Sequence, residues 1–124
     1  MTEELNSLLS GNDCMATYEY IVNNVDSCHD DMEPIVEHLK RIDLTGQFLS
    51  STARFLAAVD REHFNEWITI LVEGAIDKDR EHRYIPSLLE SIWGRDYMEH
   101  VDELRASDDV FRRLYKRVYP AGVI

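Results

Sequence analysis

Apolar residues recur along this chain at intervals of three and four almost without a break, and no stretch alternates apolar with polar as a half-buried strand would. The pattern predicts helices throughout. Leu5, Leu8 and Leu9 form a short first stripe, ended by Ser10-Gly11-Asn12, and Asp13 is placed to cap a second helix with Tyr18, Ile21, Val22 and Val25 inward. After a connection over 26–30, Asp30, Glu33 and Pro34 resemble an acidic helix start, followed by the stripe Ile35, Val36, Leu39 and Ile42. Lys40 and Arg41 then fall where the helix dipole favours cations.

Thr45-Gly46 opens a fourth helix with Phe48, Leu49, Thr52, Phe55, Leu56 and Val59 inward, and Asp60 marks its boundary. The most apolar segment comes next. Phe64, Trp67, Ile68, Leu71 and Ala75 keep helical spacing while Ile70, Val72 and Ile76 widen the face, so this helix is expected at the centre with the Trp67 ring buried. The polar run 77–83 fits either an extra helical turn or a loop. Pro86 suits the first turn of a sixth helix carrying Leu88, Leu89, Ile92 and Trp93, with Gly94 just past its end. Asp96 is expected to cap a seventh helix and Ser107 an eighth, which Pro120 stops.

No repeat aligns over more than a dipeptide, and no Gly/Ser/Pro linker divides the chain. The expectation is one all-α domain over 1–124, a compact bundle of about seven to eight short, mostly antiparallel helices. Composition agrees, since 44% hydrophobic residues in 124 are enough for a packed core without staples. Cys14 and Cys28 form neither a CxxC motif nor a disulfide framework, which favours reduced thiols. The acidic N-terminus is unlike a signal peptide, and no apolar run approaches the roughly 18 residues that span a bilayer. A cytoplasmic protein with no membrane association is therefore expected.

Charge changes the picture. Nine acids and no Lys or Arg precede Lys40, whereas the rest of the chain carries 15 acids against 13 bases, so most of the net charge of −11 lies in the first third. Such lopsided fields speed association with complementary surfaces and discriminate among partners. A partner protein with a basic surface is the expectation, met by Asp26, Asp30, Asp31, Glu33 and Glu37 on the acidic helices. Inhibitors and immunity or antitoxin-type proteins commonly work this way, by analogy of function rather than any likeness of sequence. The bland alternative is that the acids only keep the domain soluble.

Enzymatic chemistry has thinner support. Two triplets set His and carboxylates on one helical face: Asp60, His63 and Glu66, and Asp96, His100 and Glu103. Their ligand types suit a transition metal in a helical bundle, but the order is His-x-x-Glu rather than Glu-x-x-His. A metal-binding enzyme or sensor is the second reading, and no cofactor or metal is expected under the first. No nucleophile elbow or phosphate-cradling glycine loop occurs. Cys28 beside His29 is the more reactive thiol on paper, although Asp26, Asp30 and Asp31 oppose thiolate formation.

Near the C-terminus Arg105, Arg112, Arg113, Lys116 and Arg117 interleave with Tyr115 and Tyr119. Nucleic acid is still not the expected partner, because the whole molecule is strongly negative and last-turn cations suit the helix dipole. The basic tail and acidic head would equally attract each other, within one chain or head to tail in a homodimer.

Overall fold

Eight α-helices and two 3-10 turns make up most of residues 2–120, the part of the chain described by the computed structural model, and no strand occurs among them. Met1 and Gly122 lie outside that range. The helices are α1 (Glu3–Leu9), α2 (Cys14–Asn23), α3 (Met32–Ile42), α4 (Gln47–Asp60), α5 (Asn65–Lys78), α6 (Pro86–Trp93), α7 (Val101–Ser107) and α8 (Asp109–Val118). One 3-10 turn, His29–Asp31, leads into α3, and the other, Tyr97–His100, leads into α7.

Local chemistry explains most of these boundaries. The Asp13 carboxylate accepts the Ala16 N–H at 2.9 Å and starts α2, as the Thr2 hydroxyl does for α1 by accepting from Leu5 at 3.1 Å. Pro86 occupies the first turn of α6, and Gly94 follows its end with φ of 99°. Elsewhere the expected caps shift. The chain enters α3 through the 3-10 turn, with Asp31 rather than Asp30 at the cap position and no side-chain cap bond. Ser107 is the last residue of α7, and Asp108 caps α8 by accepting from the Phe111 N–H at 3.0 Å. Asp96 caps nothing; its carboxylate turns to His100 at 3.3 Å. Ser107 and Asp108 are both good caps, but the Ser107 hydroxyl donates to the Glu103 carbonyl at 2.8 Å, and the Asp108 carboxylate, shared with the distant Trp93 indole, takes the cap.

The central position of α5 is as the periodicity predicts: α3, α4 and α8 all pack on it, and α4 in turn receives α2 and α6. Ile68, Leu71, Val72 and Ala75 of α5 meet Leu49, Ala53 and Leu56 of α4 in one apolar cluster that also takes in Leu5, Ile21, Ile35, Leu39, Leu88, Phe111 and Leu114. Each fully buried Leu or Ile contributes about 1.5–3 kcal/mol relative to exposure. Gly74 permits the close approach of α5 to its neighbours, since a Cβ there would lie 3.2 Å from Leu49 Cδ1 and 3.5 Å from Lys40 Cγ.

One inward assignment fails: Val59 is 46% exposed in the last turn of α4. Trp67 packs against the core as expected, but its ring is partly rather than fully buried. The α4–α5 pair buries a narrower stripe than the apolar pattern suggests, centred on Ile68, Leu71 and Val72. The ambiguous run resolves cleanly: α5 ends at Lys78, and 79–85 form a turn held by the Asp79 carboxylate.

Candidate functional site

The acidic N-terminal segment occupies the turn after α2, the 3-10 turn and the outer face of α3. Asp26, Asp30, Glu33 and Glu37 are exposed and Asp31 is partly so. Glu33 and Glu37, four apart on α3, stand one turn above each other on the face opposite the buried Ile35, Val36 and Leu39. Among the described residues, the ion pair made by these five is Glu37 with Lys40, at 3.6 Å. Arginines pair elsewhere. The guanidinium groups of Arg61, Arg83, Arg95, Arg112 and Arg113 take carboxylates lying between Glu73 and Asp109.

Two histidines meet beside this segment. The His29 ring, from the 3-10 turn, lies 5.1 Å from that of His63 in the turn between α4 and α5, and His63 also contacts Phe64 edge-on at 4.7 Å. His63 therefore faces His29 rather than Glu66, and the Asp60 carboxylate accepts the His63 backbone N–H at 3.0 Å. Cys28 is buried, its Sγ 3.7 Å from the Met32 sulfur, and burial, more than any neighbouring charge, pushes its thiol above the ordinary value. Cys14 is raised for the same first reason. A buried thiol raised in this way is a poorer nucleophile than a free cysteine.

The second triplet is partly assembled. Among the described residues, Asp96, Glu99 and His100 bring ligand atoms within 4.8 Å of one another, all three exposed. Glu103 is not in the group. Residues 97–100 form a 3-10 turn, in which i and i+3 eclipse, so Asp96 meets Glu99 where α-helical spacing would have matched His100 with Glu103.

The most built polar feature of the molecule was not legible as such. Asp43, 1% exposed at the end of α3, accepts the N–H groups of Thr45, Gly46, Phe48 and Leu49 at 2.8–3.2 Å and so serves as the working cap of α4. Asp79, 2% exposed at the end of α5, accepts those of Arg83, Tyr84 and Ile85 at 2.7–3.0 Å. Burial would raise the Asp79 carboxyl, but these three donors outweigh it and hold the group below its ordinary value. The two turns are locked together: Lys78 Nζ donates to the carbonyls of Lys40 at 2.8 Å and Asp43 at 3.0 Å, and Gly46 lies against Asp79. A third Asp does similar work at the other end, where Asp108 caps α8, accepts the Trp93 indole N–H at 2.8 Å and lies 3.9 Å from Arg61. Asp43, directly after the Ile42 that ends its stripe, reads as an ordinary boundary until its donors are seen, while Asp79 lies inside the polar run 77–83 and Asp108 beside the other cap candidate, Ser107, so nothing local marks either. The cleft over the first junction, about 420 Å³, has walls of both signs, from Lys78 and Arg83 to Asp77 and Glu81.

At the C-terminal end, Trp93, Tyr97, Phe111, Tyr115 and Tyr119 form a continuous aromatic cluster, neighbouring ring centroids 5.0–6.2 Å apart. The Tyr97 hydroxyl is pushed up to about 12, by burial first and then by Tyr119 and Tyr115 beside it.

The chain matches no protein-family model, no curated protein sequence and no solved structure. No helix among the described residues is long and apolar enough to cross a membrane.

Proposed function

We propose that this protein is a non-enzymatic interaction domain that docks its acidic N-terminal surface on a basic protein partner inside the cell, as an inhibitor or an immunity or antitoxin-type protein would. The observation that supports it is where the ion pairs fall: Arg61, Arg83, Arg95, Arg112 and Arg113 are matched with carboxylates from the later part of the chain, while the exposed Asp26, Asp30 and Glu33 and the partly exposed Asp31 have no guanidinium within 4 Å among the described residues. Carboxylates left unneutralised on stable elements carry a field into solvent, and such a field steers a cationic partner and is screened by salt. Free Cys14 and Cys28 accord with a reducing, cytoplasmic setting.

The decisive experiment is partner capture at low and high salt, followed by association kinetics with Asp30, Asp31, Glu33 and Glu37 replaced together by neutral isosteres. Association is expected to slow by about tenfold or more with the fold intact. Unchanged rates would refute the electrostatic mechanism. The second reading, a helix-borne metal site, has the grouping of Asp96, Glu99 and His100 in its favour. A stoichiometric metal released by His100→Ala would move that reading ahead, and the same result with His63→Ala would extend it to the His29–His63 pair.

A further inference from the structure

We propose that the concavity where α7 folds back on α8 is a binding site for a small phosphate-bearing anion. In a molecule of net charge −11, this hollow of about 500 Å³ is lined by Arg105, Arg112, Arg113 and Lys116 with Tyr115, Tyr119 and Pro120, and by no carboxylate residue among the described residues. Its size is that of ordinary small-ligand sites. The floor is rigid: Tyr115 is buried and stacked on Phe111 with ring centroids 5.5 Å apart, and Tyr119 lies against Tyr115 at 5.0 Å. The Arg105 guanidinium lies 5.7 Å from the centroid of the Tyr115 ring, which orients its fork before any ligand arrives.

Helix dipoles account for some of these cations but not for their convergence. Arg105 and Lys116 lie in the last turns of α7 and α8, where a positive charge is favoured. Arg112 and Arg113 stand mid-helix, ion-paired with Asp109 and, for Arg113, with Glu73 at 2.6 Å. Arg105 and Lys116 make no ion pair within 4 Å among the described residues, so two cations remain available to a ligand, beside two whose charge is largely offset by Asp109 and Glu73. A carboxylate would be satisfied by one guanidinium. Several cations around one hollow suit a group with three oxygens and about two charges, which is the chemistry of a phosphate monoester or a diphosphate. A nucleic acid chain fits less well, since its further phosphates would meet the negative remainder of the molecule.

Calorimetric titration of the full chain with inorganic pyrophosphate, at about 0.1 M salt to suppress non-specific attraction, tests the assignment. One saturable site per chain is expected, weakened at least about tenfold by Arg105→Gln with Lys116→Gln and unchanged by Arg95→Gln, an exposed arginine outside the hollow. Arg105 and Lys116 are both exposed, so an unaltered thermal midpoint will certify that the double variant is folded. Heat without saturation, or equal weakening by Arg95→Gln, would overturn the proposal. So would a single-stranded oligonucleotide that, in the same titration, binds more tightly than pyrophosphate and competes with it, because that result would assign the surface to nucleic acid.

Discussion

Replacing Asp79 by Ala removes a carboxylate that serves three backbone donors at once, in the turn that joins α5 to α6. Of the three, the Ile85 N–H is enclosed, while those of Arg83 and Tyr84 lie in partly open surroundings where water can replace the lost acceptor. A buried amide left without a partner costs about 1–3 kcal/mol, and each solvent-rescued bond about 0.5–1.5 kcal/mol. Because the three share one acceptor they do not simply add, and a total of about 3 kcal/mol is expected. Asp79→Asn keeps one oxygen but turns an NH2 group toward a backbone donor, so about half that loss is expected. Urea unfolding at neutral pH, followed through Trp67 and Trp93 fluorescence, measures both values if the m-value is unchanged. The same variant carries a pH signature. The folded Asp79 carboxyl titrates below its ordinary 3.8, so its contribution is complete above that pH and is lost as pH falls through the folded value. The gap between wild type and Asp79→Asn should therefore narrow in that acid range. An Asp79→Ala loss below about 0.5 kcal/mol, or a gap that stays constant down to the lowest pH at which the chain folds, would refute the account of this turn.

Other perturbations read different parts of the structure. Gly46→Ala puts a Cβ at φ of 86° and 3.1–3.3 Å from Asp79 and the Ala75 carbonyl oxygen, so a loss of more than about 1 kcal/mol is expected in the same unfolding assay. Leu71→Ala should cost about 2–5 kcal/mol and Val59→Ala clearly less, since Leu71 is enclosed and Val59 is 46% exposed; the reverse order would misplace the core. His38 is buried with Nδ1 3.0 Å from the Arg41 guanidinium, and burial, then Arg41, holds its pKa below 6.5. Its neutral form is the folded one, so stability should be level above pH 6.5 and fall as pH drops toward the folded value, a slope that His38→Leu should reduce in thermal scans. Asp108→Ala should cost about 2 kcal/mol through the lost α8 cap and indole bond, and should shift Trp93 emission more than Trp67 emission.

The helical class, most element boundaries and the gathering of nine acids before Lys40 were all present in the order of residues. Each rests on physics that acts within about four positions along the chain: the 3.6-residue period that groups Ile68, Leu71 and Val72, the Asp13 carboxylate reaching Ala16, and proline and glycine at the two ends of α6. The choice between nearly equal local options was made elsewhere. Whether 77–83 stayed helical, which of Ser107 and Asp108 capped α8, and whether Trp67 or Leu71 lay deeper depended on groups from distant segments: Lys78 on the Lys40 and Asp43 carbonyls, the Trp93 indole on Asp108, Leu49 against Gly74. The gathering of Arg105 with Arg112, Arg113 and Lys116 over an aromatic floor belongs to the same class. Periodicity states which residues share a face of one helix; it carries no information on which two faces meet, and a buried donor or a converging set of charges exists only once they have.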